Sequence, residues 1–337
     1  MLGKVEVSMR ALILLLVPAA LFSNPARFAR LGESEGQVET QLQAADPWLP
    51  AQRNLPLPES AWIRTGVASR LEIELDEGSA WRLGPESLSE LSDLSRLSTG
   101  QRVTLLSLDH GLAYFTGEPE GKDALTLAVP GAQITLHRGA RLRLEARDAW
   151  SQISVIEGAV RFSSPAAEID LREGQTVRVE PANPARFFLY REVTRMDPDR
   201  WSEERDKVLA APVSGRHVLE RYGLADMDAG GEWIQTEDLG SVWRPKTAEG
   251  WIPYQNGRWL WYDSLGYTWV VTIPGVGFRI TMGVGCAAKV WDGFGRPRKT
   301  RSLNLPMSTG SAAPDSLAGD LSLRMRNGRP RHSPSNF

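Results

Sequence analysis

The amino-acid sequence predicts a mainly β fold: a β-sandwich or β-roll domain, a connecting helix, β-hairpin repeats rich in tryptophan, and a disordered tail. Three observations carry this prediction. Short segments that alternate polar and apolar residues follow one another from residue 27 to 180, glycine-containing turns separate them, and no amphipathic helical segment lies between them. With 337 residues, 42% of them hydrophobic, the chain is long enough for two modest domains with a core.

Residues 1–23 predict an export signal. Lys4 and Arg10 precede the apolar run Ala11–Phe22, which has the length of a signal-peptide core and is short for a membrane span. No clear small-x-small cleavage site follows it. Two outcomes therefore stay open, a cleaved signal and an uncleaved anchor that holds the chain to the membrane, and both place the rest of the chain outside the cytoplasm, in the periplasm or secreted. A buried core helix is the competing interpretation.

The segment from 27 to 180 predicts a β domain of short strands. Arg70–Leu75 alternates polar and apolar residues with the period of a half-buried strand. The other predicted strands are Val103–Leu108, Leu125–Val129, Gln133–Leu136, Arg141–Glu145, Ser151–Ile156, Ala159–Phe162, Glu168–Leu171 and Gln175–Val179. The turns predicted around them contain Gly78, Gly111 (after His110), Gly131, Gly139, Gly158 and Gly174.

Residues 195–212 predict a helix that connects the β domain to the next module. Asp197 is a suitable N-cap, and Pro198 is favoured at the first helical position because its missing N–H is not needed there. Asp199 interacts favourably with the positive end of the helix dipole.

Residues 220–270 predict β-hairpin repeats. Glycine and tryptophan recur together, as Gly231-Glu-Trp233, Gly240-Ser-Val-Trp243, Gly250-Trp251, Gly257-Arg-Trp259 and Gly266-Tyr-Thr-Trp269. Asn256-Gly257 is typical of a tight hairpin turn, because both residues tolerate a positive φ. Small hairpins of this kind do not bury a face alone, so we expect them to stack on neighbours or on a partner.

Five stretches of the β segment stand in a characteristic order: Ala68–Leu75, Leu105–Gly111, Leu127–Gly139, Ser154–Phe162 and Leu171–Val179. Together they resemble the FecR domain, which shows a V-x-T-P-x-A step, a V-x-E-G-x-V step and a closing L-x-x-G-Q step. Ala128-Val-Pro lacks the threonine of the first step. The resemblance covers roughly half of the chain. The tryptophan-rich segment behind it looks like the repeats that follow FecR domains in some bacterial secreted proteins.

The resemblance implies a periplasmic or surface β domain. In the transport-regulation system that gave the family its name, such a domain senses a receptor and signals to a sigma factor. That role needs a cytoplasmic N-terminal domain and a membrane helix, and here only Met1–Arg10 precede the apolar run. We therefore expect an extracytoplasmic binding or structural role and do not carry over the sigma-factor role.

Residues 271–337 predict a disordered basic tail, because Ser, Pro, Arg and Gly dominate there. The genetic code offers a second interpretation. When Thr272–Gly285 is back-translated and read one base early, allowed codons give Asp-Pro-Trp-Gly-Trp-Val-Pro-Tyr-His-Tyr-Gly-Arg-Trp, which matches Gly250-Trp-Ile-Pro-Tyr-Gln-Asn-Gly-Arg-Trp259. This match suggests a reading-frame shift near Val270–Thr272, after which the sequence would be unselected.

No catalytic, nucleotide or metal motif stands out in the sequence, and no cofactor is implied. Gly275–Gly277 and Gly283–Gly285 lack the Lys-Ser/Thr of a phosphate loop. His217 and Glu220 could share a helical face, but zinc needs a third ligand. Cys286, the only cysteine, excludes an internal disulfide. The net charge of −2 gives no general attraction to nucleic acid.

Carboxylates are plentiful in the β segment, and a carbohydrate-active hydrolase would need two of them facing each other across a cleft. We instead interpret Glu72 and Glu74 as one solvated strand face, because they are two residues apart.

The candidate binding residues are aromatic: Trp243, Trp251, Tyr254, Trp259, Trp261 and Trp269. Exposed indoles stack on sugar rings or contact a partner protein, whereas inward ones form the core of the hairpin module. The sequence predicts a non-catalytic binding or scaffolding protein of the bacterial cell envelope, with an envelope protein or a glycan as partner and neither nucleic acid nor nucleotide. A glycan- or peptidoglycan-binding module is the alternative.

Overall fold

The computed structural model describes residues 27–210, 212–217, 221–237 and 240–246, and the backbone of 257–262, 266–272 and 279–282. The predicted signal segment 1–23 lies outside these residues. Within them, no helix is long and apolar enough to cross a membrane.

A continuous hydrogen-bonded β structure of sixteen strands occupies the chain from Ala29 to Tyr190, which confirms the mainly β prediction. The strands are β1 (Ala29–Glu35), β2 (Val38–Gln41), β3 (Leu49–Pro50), β4 (Pro56–Leu57), β5 (Trp62–Thr65), β6 (Arg70–Glu74), β7 (Ala80–Leu83), β8 (Leu88–Arg96), β9 (Arg102–Gly117), β10 (Ala124–Val129), β11 (Ala132–Leu136), β12 (Ala140–Arg147), β13 (Trp150–Ser164), β14 (Ala167–Arg172), β15 (Thr176–Glu180) and β16 (Asn183–Tyr190).

The strands form two layers. Layer A contains β1, β4, β6, β7, β12, β15 and β16, and layer B contains β2, β3, β5, β8, β10, β11 and β14. Apolar side chains of both layers meet in one buried core, to which Trp81 and Phe115 contribute from layer A and Leu127 and Ile134 from layer B. This alternation of inward apolar residues is what the sequence pattern predicts.

Two long strands, β9 and β13, belong to both layers. The first half of β9 pairs with β8 and β10, and its second half pairs with β7 and β12. The strand changes layer at Gly111, where φ is +102°. Likewise, β13 pairs with β12 and β15 before Gly158, where φ is +88°, and with β11 and β14 after it.

The predicted turns at Gly111 and Gly158 are therefore wrong. A glycine with positive φ between two alternating segments fits a bend within one strand as well as a turn between two strands. Here both glycines bend a strand that carries on into the other layer.

The predicted connecting helix is present as α1 (Asp197–Leu209). Its N-cap is Met196 and not Asp197, so that part of the prediction is wrong. The reason is that the Asp199 carboxylate accepts a hydrogen bond from the Met196 backbone N–H at 2.8 Å, which fixes the start one residue earlier. A 3₁₀ turn (Val213–Arg216) and a short helix α2 (Leu224–Gly230) follow.

The tryptophan-rich segment contains two hairpins with the same register. In the first, β17 (Gly231–Thr236) pairs with β18 (Gly240–Pro245), and Trp233 lies opposite Trp243. In the second, β19 (Gly257–Tyr262) pairs with β20 (Gly266–Thr272), and Trp259 lies opposite Trp269. Each paired residue of the first hairpin lies 26 positions before the residue in the same register of the second.

A further strand, β21 (Arg279–Met282), pairs with β20 in an antiparallel register. It lies in the segment for which we predicted disorder, and for these four residues the prediction is wrong, because Arg279–Met282 has the alternating pattern that suits an edge strand. The other residues after 272 lie outside those described.

Candidate functional site

A row of polar side chains crosses the outer face of layer A. Glu72 on β6 lies opposite Arg82 on β7, Arg82 lies opposite Tyr114 on β9, and Tyr114 lies opposite Arg143 on β12. We call these four residues the polar row. All four are buried, with at most 2% of their surface exposed. Burial of two arginines and a glutamate demands partners, since an unpaired charge in the interior is strongly unfavourable.

Helix α1 covers the polar row and supplies those partners. Arg82 donates to Glu72 at 2.8 Å, to Ser202 at 3.0 Å and to Asp206 at 2.7 Å. Arg205 of the helix donates to the other oxygen of Glu72 at 2.6 Å. The helix therefore docks on the sheet through ion pairs, and it is part of the β domain as well as a connector.

The first turn of α1 is fixed by Asp199. Its carboxylate accepts from Arg143 at 2.8 Å and from the Tyr114 hydroxyl at 2.7 Å. Burial alone would raise the pKa of Asp199, but the hydrogen bonds from the Met196 N–H, Tyr114 and Arg143 hold that pKa below its usual value. Burial and the neighbouring Asp199 raise the pKa of Tyr114. Both groups keep one protonation state near neutral pH, which suits a structural contact and not proton transfer.

The prediction that Glu72 and Glu74 form a solvated strand face is wrong. Glu72 is fully buried and Glu74 is 5% exposed. Arg30 on β1 donates to Glu74, and the Gly223 N–H donates to it at 2.6 Å. The spacing of two residues did place both side chains on one face, but arginines of neighbouring elements cover that face.

A cavity of about 800 Å³ lies between the end of β6, the loop after β9 and the segment around α2. Glu74, Glu77, Glu118 and Glu120 line it, together with Arg221 and apolar groups. The structure thus brings several carboxylates to one cleft, which is the arrangement that a hydrolase would need. Glu74 is already bound on both oxygens, and Glu120 pairs with Arg102 at 2.7 Å and with Arg221 at 3.2 Å.

Glu77 is a second buried acid of this cavity, beside Glu74. Arg27 donates to its Oε2 at 3.1 Å, while its Oε1 is buried without a hydrogen-bond partner. Burial raises the pKa of Glu77 to about 7, and the adjacent Asp76 adds to the increase. The pKa of Asp76 is lowered, because the hydrogen bonds and charge of Arg27 outweigh its burial. Arg27 therefore pairs with two adjacent acids, Asp76 and Glu77. Within the described residues, no group of three His, Cys, Asp or Glu side chains could hold a metal.

The aromatic residues of the first hairpin face the protein. Trp233 stacks on His217 with ring centroids 4.2 Å apart and donates to Ser214 at 2.8 Å. Trp243 donates to the Met227 carbonyl at 3.1 Å. His217, considered above as a metal ligand, is thus an aromatic contact. The two indoles bind the hairpin to α2 and to the 3₁₀ turn.

The other candidate binding residues are placed by register alone. Trp259 lies opposite Trp269, and Trp261 lies opposite Tyr267, so these four aromatic residues share one face of the second hairpin. Trp251 and Tyr254 lie outside the described residues. The structure thus brings Trp259, Trp261 and Trp269 together and sets Trp243 apart as a packing residue.

Comparison with protein families gives two matches. Residues 61–161 match the family described as FecR protein. This stretch is a FecR domain. It runs from β5 into the second half of β13, so it includes β9, most of β13 and all four members of the polar row. Residues 224–279 match a family of unknown function (DUF6600), which spans α2 and both tryptophan hairpins. Neither description names a catalytic activity.

Comparison with curated proteins gives no match. Among solved structures, two from Parabacteroides distasonis ATCC 8503 are similar, both described as a putative anti-sigma factor. The first has 15% identity and a TM-score of 0.36, and the similarity covers 42% of this chain and 64% of that one. The second has 14% identity and a TM-score of 0.34, and the similarity covers 55% of this chain and 99% of that one.

Sequence reasoning missed the contacts between the FecR domain and α1. One signal for them was present: Asp199, Ser202 and Asp206 are three and four residues apart, which places them on one helix face. Arg82 and Arg143 in apolar strands were the complementary signal. A polar stripe on a helix and basic residues in the interior of strands together indicate a buried ionic contact.

Proposed function

We propose that this chain is a non-catalytic binding or scaffolding protein of the bacterial cell envelope that acts outside the cytoplasm. The basic residues and apolar run at the N-terminus support export, and the FecR domain supports a role as a binding module.

The proposal that the chain is non-catalytic rests on the hydrogen-bond partners of the acidic groups in the described residues. Glu72, Glu74 and Asp199 are each bound by arginines or backbone N–H groups, so none of them is available as a base or nucleophile. Glu77 is buried and shares Arg27 with Asp76. Glu72, Glu74 and Asp199 connect neighbouring elements of the fold.

Fractionation tests the location. An antibody to the FecR domain should find the protein in the periplasmic, membrane or medium fraction, and protease added to spheroplasts should digest any protein that remains attached to them. A protected cytoplasmic pool would contradict the proposal.

An activity assay tests the absence of catalysis. The purified chain should release no reducing ends from peptidoglycan or soluble polysaccharides, and the Glu77→Gln and Glu118→Gln variants should give the same baseline. Release that Glu77→Gln abolishes would establish a hydrolase instead.

Glycan binding is the second candidate, and the shared face of Trp259, Trp261, Tyr267 and Trp269 supports it. Purified cell wall should then retain the wild-type chain, and Trp259→Ala should lose this retention. Trp48→Ala changes a tryptophan on the FecR side of the chain that contacts Arg64, and it should not affect retention. A wild-type chain that does not bind cell wall removes this candidate.

A further inference from the structure

Strand β16 lies at an edge of layer A. Among the residues that the structure describes, it pairs only with β15 and stands at the end of the strand order. Phe188, Leu189 and Tyr190 are 44%, 48% and 39% exposed. An edge strand with unpaired backbone groups and exposed apolar side chains readily pairs with another strand unless it is protected.

The edge strand β14 of layer B shows what such protection looks like. Glu168 and Asp170 both form ion pairs with Arg161 of β13 on its surface. In β16, by contrast, Arg186 is the only charged residue among eight. Proteins commonly use charges and prolines on an edge strand to prevent association. In β16 the one charge is Arg186, and Pro184 lies near the start of the strand, away from Phe188–Tyr190.

The face of β16 that carries Phe188 and Tyr190 is also rich in arginine. Arg178 on β15 lies opposite Phe188, and its guanidinium lies 4.4 Å from the Trp150 ring centroid and 6.0 Å from that of Tyr190. Arg186 lies 5.8 Å from the Phe188 ring centroid. Arginine and large aromatic residues are the side chains that contribute most to protein interfaces.

Arginines outnumber carboxylates on this surface, where Arg147, Arg178 and Arg186 share the face with Glu180 and the largely buried Glu145. Arg178 donates with Nε and Nη2 to the neutral Gln152 amide oxygen, at 3.0 and 2.7 Å, and not to a carboxylate. Arg147 donates to the Ala146 carbonyl. Arg186 has an acidic partner, Glu180, at 3.3 Å. Two of the three arginines therefore lack a carboxylate partner among the described residues.

From these observations we propose that β16 is a docking edge for an extended acidic segment of a partner protein, which adds to layer A as one more strand. Backbone hydrogen bonds along β16 would provide affinity, and carboxylates beside Arg178 and Arg186 would provide selectivity. A second copy of this chain fits less well, since β16 offers no carboxylate of its own to the arginines of a facing copy. The inference deepens the proposed binding role and rests on it.

A peptide titration tests the inference. The probe is a fluorescent ten-residue peptide that alternates valine with Asp or Glu, titrated with the purified full chain and followed by anisotropy. We expect saturable binding. A peptide with lysine at every acidic position should not bind, and neither should the acidic peptide with alternate backbone amides N-methylated, because it cannot complete the strand pairing.

Variants locate the site. Arg178→Gln and Phe188→Ala should each weaken binding roughly tenfold, which corresponds to about 1.4 kcal/mol. The matched control is Arg161→Gln beside the edge strand β14, which should leave binding within about twofold, as for a charge remote from the contact. Each variant changes a residue at the surface of the sheet, and far-UV circular dichroism checks that it folds.

Several results would overturn the inference: equal binding of the N-methylated peptide, equal loss in Arg161→Gln, or no binding at all. Self-association that Phe188→Ala abolishes would assign the edge to a second copy, and tighter binding of a single-stranded oligonucleotide than of the peptide would assign it to nucleic acid. These outcomes are separate from a failure of the proposed function, which would appear as a cytoplasmic location or as hydrolysis while peptide binding persisted.

Discussion

Replacement of Gly158 by alanine should destabilise the FecR domain strongly. Gly158 bends β13 with φ at +88°, where an L-residue costs about 1–2 kcal/mol. In addition, an alanine Cβ would lie 2.4 Å from the Gly139 carbonyl oxygen and 3.1 Å from the Ala140 Cα. Both atoms are backbone, so β12 would have to move, and overpacking of this kind costs about 1–3 kcal/mol more. The expected loss in the free energy of unfolding is therefore roughly 2–5 kcal/mol.

Urea denaturation followed by far-UV circular dichroism measures this loss. Gly174→Ala is the matched control, because Gly174 has φ at +78° and an added Cβ would meet nothing within 4 Å. Gly174→Ala should lose only the free energy that an L-residue costs at a positive φ, about 1–2 kcal/mol. The difference between the two variants then measures the steric contact at the bend. Equal losses in Gly158→Ala and Gly174→Ala would refute the reasoning.

Three further predictions follow from the ionic contacts and from the repeat. Glu72→Ala should destabilise the chain by about 3–5 kcal/mol in the same assay, because it leaves Arg82 and Arg205 without their shared carboxylate. The control Glu35→Ala removes a carboxylate from an exposed ion pair and should cost below about 1 kcal/mol. Similar losses in the two variants would contradict the role of Glu72 as a buried ionic partner. Since the pKa of Glu77 is raised from 4.5 to about 7, the contribution of this group to stability should be greatest below pH 4.5 and fall by about 3 kcal/mol as the pH rises from 4.5 to about 7. Glu77→Gln should flatten the dependence of stability on pH, and Glu118→Gln should leave it unchanged. Urea midpoints measured between pH 4.5 and 8 test this prediction. A pH dependence in Glu77→Gln equal to that of the wild type would contradict it. Finally, DNA sequencing across codons 265 to 290 should show codons compatible with the shifted frame, and a single incompatible codon ends that hypothesis.

The strands of the β domain were predictable from the sequence because their alternation is local. Arg70–Leu75 and Gln175–Val179 both appear as strands near their predicted bounds. The layer changes at Gly111 and Gly158 were not predictable, since a glycine between two alternating segments fits a turn or a bend equally well. Only the pairing partners, which are distant in sequence, distinguish these two cases.

The ionic contacts were harder to predict, because burial is decided by tertiary packing. Glu72 and Glu74 have the spacing of a solvated face, and nothing in their own strand shows that α1 or Arg30 covers them. Among the aromatic candidates, Trp243 and Trp259 stand at equivalent repeat positions, yet Trp243 contacts α2 through Met227. The position of Trp243 in the sequence pattern therefore did not indicate this packing contact.

The polar contacts between α1 and the sheet determine which groups would be exposed if the helix undocked. Its buried residues are Asp199 and Ser202, and the surface beneath it consists of guanidinium, carboxylate and phenol groups. If such a helix undocked, it would expose charged and polar groups that water solvates well. A helix packed through leucines would instead expose an apolar patch. Undocking of α1 would therefore expose mainly charged and polar groups in the polar row.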